Sequence, residues 1–207
     1  MKSRPILYNG PMVRALLDDS KTHTRRAWRD QPPPGVRVAY VPGQTKCPYG
    51  QPGDQLWVRE AWRSSLAYEL TPPREIPVGS PIVYQADGAG SLPHFNAGKL
   101  RPGIFMPRWA SRITLEIPGV RVERLQDISG ADAFAEGVRI PCSHSGTPLL
   151  RITGKVSPSQ FSGKHPRNWA PNDFARFEYA ELWESINGAG SWDANPWVWV
   201  VEFRRIK

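Results

Sequence analysis

The sequence predicts an α+β fold: a small barrel-like sheet with short helices at its ends and long loop insertions. Three observations predict it. Apolar patterning runs strand, helix, several strands, helix, strand along the chain. The apolar parity flips across Pro118-Gly119, which calls for a bulge or sharp bend in a strand that must curl, or for a turn between two strands. The third is composition, because 22 prolines and 18 glycines among 207 residues place much of the chain in turns and irregular loops. This length suits one domain, read as 1–207, with insertions at about 27–52, 63–103 and 138–171.

Pro5-Ile6-Leu7-Tyr8 reads as a short strand, stopped by the turn Asn9-Gly10-Pro11, which also starts a helix. From Pro11 to Asp19, Met12, Val13, Leu16 and Leu17 make one apolar stripe. Asp30 to Gly35 is proline-rich loop. After the turn cluster Gly50-Gln51-Pro52-Gly53-Asp54, residues 55–62 are β-rich, with Leu56, Val58 and Glu60 on one face. Residues 63–103 hold one strand, Pro81-Ile82-Val83-Tyr84. Ile113, Leu115 and Ile117, then Val120 and Val122, alternate with polar residues.

Residues 127–137 form a short helix in which Ser129 is the N-cap, Asp132 occupies N3 and Gly137 is the stop. Residues 138–171 lack periodicity and read as a long loop. Asn172 or Asp173 then caps a helix with the stripe Ala175, Tyr179, Leu182, Trp183 and Ile186, ended by Asn187-Gly188. The last strand, Pro196 to Arg204, is apolar on both faces for most of its length, so it belongs at the centre of a sheet.

The formal charge of +8, with a pI near 9.8, favours a polyanionic partner, nucleic acid first, and nine tryptophans supply flat surfaces for bases where they are exposed. Cys47 and Cys142 make no zinc pattern, and His23, His94, His144 and His165 show no ligand spacing. No metal and no cofactor are expected. With no secretory h-region and no apolar run long enough for a bilayer, the expectation is a cytoplasmic protein with unpaired thiols and no membrane partner.

The chemistry concentrates in Ser20-Lys21-Thr22-His23-Thr24-Arg25-Arg26. A core would tolerate none of these cations unpaired, so the stretch faces solvent or lines a site. In an extended chain Thr22, Thr24 and Arg26 share one face, and Lys21, His23 and Arg25 the other. Glu60, at the edge of the core, needs a partner, for which a cation of the 20–26 stretch is a candidate. Arg108, Trp109 and Arg112 combine a ring able to stack a base with cations able to hold phosphate. Glu136 meets the negative end of its helix dipole, a cost removed by a nearby cation.

Together these segments resemble the ASCH domains of the PUA-like superfamily. The resemblance rests on Lys21-Thr22-His23-Thr24-Arg25-Arg26 after a short helix, on Gly53-Asp54-Gln55-Leu56-Trp57-Val58, on Leu125-Gln126-Asp127-Ile128 leading to Ala135-Glu136-Gly137, and on the strand Trp197 to Phe203. Trp109-Ala110-Ser111-Arg112 and the ending Ser191 to Phe203 look like the longer ASCH proteins of bacteriophages and prophages. The resemblance implies a PUA-type barrel whose cleft accepts a nucleobase or nucleoside. Small bacterial members are amidohydrolases that deacetylate N4-acetylcytidine with a lysine, a threonine nucleophile and a glutamate, which fall on Lys21, Thr24 and Glu136. This chain differs from them in carrying Asp19-Ser20 before the lysine, where a glycine and a basic residue are usual.

The function expected from the resemblance is hydrolysis of an N4-acylated cytosine, with Lys21 as base, Thr24 as nucleophile and Glu136 as proton carrier. Thr22, Arg26, Glu60, Arg108 and Trp109 are the candidate substrate-binding residues. The expected partner is a modified cytidine nucleoside or RNA. The alternatives are a non-catalytic module that reads an RNA or DNA base, and a ribonuclease, for which His23 is the one acid–base candidate.

Overall fold

The computed structural model describes residues 1–33, 36, 38–41, 44–88, 96–140 and 169–206. Pro34-Gly35, His94, Cys142, His144, His165 and most of the loop read at 138–171 lie outside the described residues. The fold is mixed α+β, with a five-stranded mixed sheet in the order β1-β3-β6-β7-β2 and a two-stranded sheet of β4 and β5. The strands are β1 (Ser3–Leu7), β2 (His23–Ala27), β3 (Gln55–Arg59), β4 (Trp62–Ser64), β5 (Ile82–Tyr84), β6 (Thr114–Arg124) and β7 (Trp197–Arg205). The helices are α1 (Gly10–Leu17), α2 (Gly130–Ala135) and α3 (Pro171–Asn187).

The chain divides into two compact units. The first comprises residues 1–19, 46–119 and 203–207; the second comprises 20–45 and 120–202.

In the first unit β1 pairs parallel with β3, and β3 pairs antiparallel with the start of β6. Ile6, Leu56, Val58, Leu115 and Ile117 are buried, as their alternation requires. Helix α1 starts at Asn9, whose Oδ1 accepts from the Met12 amide at 3.0 Å, and buries Val13, Ala15 and Leu16. A smaller cluster of Trp62, Ile76, Met106 and Ala110 lies beside β4 and β5. Gly103 allows a close approach there, because a Cβ would stand 2.9 Å from the Glu60 carbonyl carbon.

In the second unit β2 pairs antiparallel with β7. Val198 and Val200 of β7 join Phe174, Phe177, Ala180 and Trp183 of α3 in the larger core. That stripe differs from the predicted one: Ile186 is exposed, and Phe174 and Phe177 are buried instead. The cap also differs. The helix begins at Pro171 after Ala170, because proline suits the first position and Asp173 reaches back to accept from the Ala170 amide at 3.0 Å.

Strand β6 runs unbroken through Pro118-Gly119, so the reading with a turn between two strands does not hold. Burial slips by one residue there, from Leu115 and Ile117 to Val120, as it does when one extra residue enters a strand. Strand β7 lies between β6 and β2, an interior place that its two apolar faces require.

Candidate active site

The second unit builds its site from β2, α2 and the end of β6. Ser129 Oγ accepts from the Asp132 amide at 3.0 Å and starts α2, and Gly137, at φ 85°, stops it. Glu136 is therefore the C-cap residue. The chain before β2 runs against this helix end, with a bridge between Lys21 and Glu136 and a 2.7 Å bond from the Thr22 amide to the Ala135 carbonyl. A helix stop and a strand start thus bring together residues 115 positions apart.

Lys21 is only 2% exposed. Its Nζ donates to Glu136 Oε2 at 2.7 Å, to the Glu136 carbonyl at 2.9 Å and to the His23 carbonyl at 2.8 Å. Three acceptors match the three hydrogens of an ammonium. The His23 carbonyl belongs to the peptide bond that leads into Thr24, so the ammonium lies alongside the Thr24 backbone.

Arg25 is buried too. Its NH1 donates to Glu136 Oε1 at 3.2 Å, its Nε and NH2 to Glu123 Oε1 at 2.8 and 2.6 Å, and its NH2 to Asp132 Oδ2 at 3.0 Å. Arg121 extends the network to Asp132 at 2.9 Å, to Glu123 at 3.1 Å and to Glu202. The cation that sequence reasoning wanted beside the helix end is there twice, as Lys21 and as Arg25.

Burial pushes the Lys21 ammonium below its ordinary pKa; the Glu136 carboxylate opposes this, and Arg26 and Arg25 add to it. The neutral amine is thereby nearer to hand than on a surface lysine. Arg25 is the reverse case, since burial works against its charge but Glu136 and Glu123 more than offset it, and its pKa lies above the usual value. Burial also raises the Tyr179 hydroxyl well above its ordinary pKa, with the Glu136 charge acting in the same direction, so the phenol stays protonated with its ring 5.9 Å from the Arg25 guanidinium.

The other face of β2 has a different character. Thr24 lies opposite Val201, and Arg26 opposite Trp199. Thr24 is buried and Arg26 half-buried. Trp199 is flanked by Trp28, with ring centroids 4.9 Å apart, and by Tyr40 at 6.3 Å, so a hydroxyl, a guanidinium and an aromatic wall share one side. Thr22 Oγ1 stands 2.9 Å from His23 Nδ1. His23 Nε2 lies 3.8 Å from Glu202, yet burial holds its pKa below the ordinary value, so the ring is neutral at pH 7.

The remaining predicted residues belong to the first unit. The partner of Glu60 is not a cation of the 20–26 stretch but Arg112, whose Nε and NH2 donate to its two carboxylate oxygens at 2.9 and 3.1 Å. The reason is local, since the Val58 amide donates to the Ile113 carbonyl and so draws Arg112 beside the end of β3. Arg112 also binds both oxygens of Asp87, and its guanidinium lies 3.9 Å from the Tyr84 ring centroid. Burial raises the Glu60 pKa despite this partner. Trp109 is half-buried against the Trp62 and Met106 cluster. Arg108 lies with its guanidinium 5.6 Å from the Trp57 ring centroid.

Sequence reasoning missed the carboxylates Glu123 and Asp132 as partners of Arg25, and the aromatic group of Trp28, Tyr40 and Trp199. Parity held the signal for one of them, because Trp28 continues the Thr22, Thr24 and Arg26 series. Compared with known protein families, curated proteins and solved structures, the chain matches none.

Proposed function

We propose that the protein is an amidohydrolase that removes the acyl group from N4-acetylcytidine or a related N4-acylated cytosine nucleoside, on an ASCH-type fold of the PUA-like class. The observation that carries this reading is the buried Lys21–Glu136 pair, whose ammonium lies along the Thr24 backbone, in a sequence that reads K-T-x-T-x-R. A surface pair would need no such burial. A lysine desolvated enough to lose its proton is what a threonine hydroxyl requires as a base.

In this mechanism Thr24 Oγ1 attacks the acyl carbon and its proton passes by way of substrate-site water to the neutral Lys21 amine, because the two side chains leave opposite faces of the strand. The carbon–nitrogen bond breaks as N4 receives a proton carried by Glu136, which releases the cytidine and leaves an acyl ester on Thr24. Water, giving a proton back to the same pair, cleaves the ester to the carboxylic acid and free Thr24. Arg25 NH1, donating to Glu136 Oε1, orients the carboxylate. Trp28 and Tyr40, with Trp199 behind them, offer the cytosine ring a stacking wall, and Arg26 supplies hydrogen-bond donors at its edge.

The test is to incubate the protein with N4-acetylcytidine and follow cytidine release by chromatography. Release by the wild type, and none by Thr24→Ala, is expected. Equal release by both would remove Thr24 from the mechanism. No release by a folded wild type would leave the same aromatic face as a binding site that reads a base without cutting it.

A further inference from the structure

We infer that the outer face of β1, β3 and the start of β6 in the first unit is a binding surface for single-stranded nucleic acid. Strand alternation puts Leu56 and Val58 on one face and Trp57 and Arg59 on the other, with Pro5 and Leu7 of β1 and Thr114 of β6 beside them; Trp57 and Thr114 are buried beneath the arginines, and Arg59, Arg108 and Leu7 reach the surface. The guanidiniums of Arg59 and Arg108 lie 4.6 and 5.6 Å from the Trp57 ring centroid. Arg59 NH1 donates to the Ile104 carbonyl at 3.2 Å, which ties the face to the turn carrying Ile104 and Phe105. Both of those side chains are 59% exposed, and Leu7 is 51% exposed.

Charge chooses the occupant. Several cations of the first unit are neutralised in place: Arg4 by Asp54, Arg112 by Glu60 and Asp87, Arg204 by Glu116 and Arg205 by Asp19. Arg59 and Arg108 have no carboxylate partner among the described residues, Arg59 donating only to the Ile104 carbonyl and Arg108 to Thr114 Oγ1 at 3.4 Å. Stacking on an indole fixes such a fork in orientation without using up its donors, which leaves it ready for a phosphate. An exposed phenyl ring next to two such forks is the combination that holds a base and its backbone irrespective of sequence. The surface makes no use of Thr24 or Lys21, so it stands whether or not the deacylation reading does.

The test is fluorescence anisotropy of labelled single-stranded oligouridylate, titrated with the full-length protein between about 50 and 200 mM salt. Binding is expected, weakening as salt rises. The Arg59→Gln/Arg108→Gln variant should bind less tightly, with a slope of log affinity against log salt shallower by about 1.4, at about 0.7 per phosphate contact. Phe105→Ala, a change at an exposed side chain that keeps the test valid even if the double variant does not fold, should lose about tenfold in affinity with the slope unchanged. The proposal is overturned if the wild type does not bind at the lowest salt, if Phe105→Ala binds as the wild type does, or if excess N4-acetylcytidine displaces the oligonucleotide.

Discussion

Replacing Glu136 by glutamine tests the buried network most directly. The change keeps shape and one carbonyl oxygen but removes the charge that faces Lys21 at 2.7 Å and Arg25 at 3.2 Å. Breaking one side of a buried ion pair costs about 3 to 5 kcal/mol, because the surviving charge is left desolvated. Here the lower end applies. Lys21 keeps the His23 and Glu136 carbonyls, and Arg25 keeps Glu123 and Asp132. A loss of about 3 kcal/mol lowers the melting temperature of a chain of this size by roughly 6 to 12 °C. In a cycle with Lys21→Met, the double variant should lose less than the sum of the single variants, since it strands no ammonium.

Proton linkage gives a second readout of the same change. The folded pKa of Lys21 is below 10.5, its value in the unfolded chain. Its contribution to stability is therefore present above pH 10.5 and is lost as pH falls through the folded value. Glu136 raises that value, so Glu136→Gln lowers it and extends the loss to lower pH. Urea unfolding of both proteins across neutral to alkaline pH measures this. A cost below about 1 kcal/mol, additive behaviour in the cycle, or an unchanged pH dependence would refute the description of Lys21 and Glu136 as a tightly coupled buried pair.

Four further outcomes follow from the same structure. Burial holds the Glu60 pKa above 4.5, so Glu60 contributes stability that is lost as pH rises from 4.5 through its folded value; Glu60→Gln should lack that decline in urea titrations between pH 4 and 7. Asp132 is the opposite case, since Arg25 and Arg121 outweigh burial and hold its pKa below 3.8; the stability it adds is present above 3.8 and lost below, and Asp132→Asn should show a weaker acid transition by circular dichroism. Gly103→Ala forces a Cβ to 2.8 Å from Leu7 Cδ1 and 2.9 Å from Glu60 backbone, and thermal unfolding should show a loss of about 1 to 3 kcal/mol. Under the proposed reaction, Trp28→Ala should raise KM for N4-acetylcytidine more than it lowers kcat, because it removes stacking on the base without touching Thr24 or Lys21.

Much of the fold was legible because its causes are local. Asn9, Ser129 and Gly137 start and stop their helices through their own side chains and φ angles, whatever surrounds them. Alternation states that Leu115 and Ile117 of β6 are buried, and two apolar faces place β7 inside a sheet. The cap of α3 was read two or three residues late, at Asn172 or Asp173 and not Ala170, because Pro171 and Asp173 cap the helix from within, which leaves no capping side chain before them to recognise. Ile186 failed as a core residue because one periodic stripe fits several rotations of a helix, and packing selects among them.

By itself the sequence determined the K-T-x-T-x-R stretch, its two-faced parity and the need for a cation at the end of α2. Only the tertiary structure decided which charges meet. Arg25, read as a cation beside Lys21, is in fact shared among Glu123, Asp132 and Glu136, and burial does more than its charge to lower the Lys21 pKa. Glu60 turned to Arg112 because the strand pairing beside it brought that residue first. The physical reason is common to both. A side chain's conformation is set by its neighbours in sequence, whereas an ion pair is set by distance in space, and strand register and helix ends fix that distance between residues as far apart as Lys21 and Glu136.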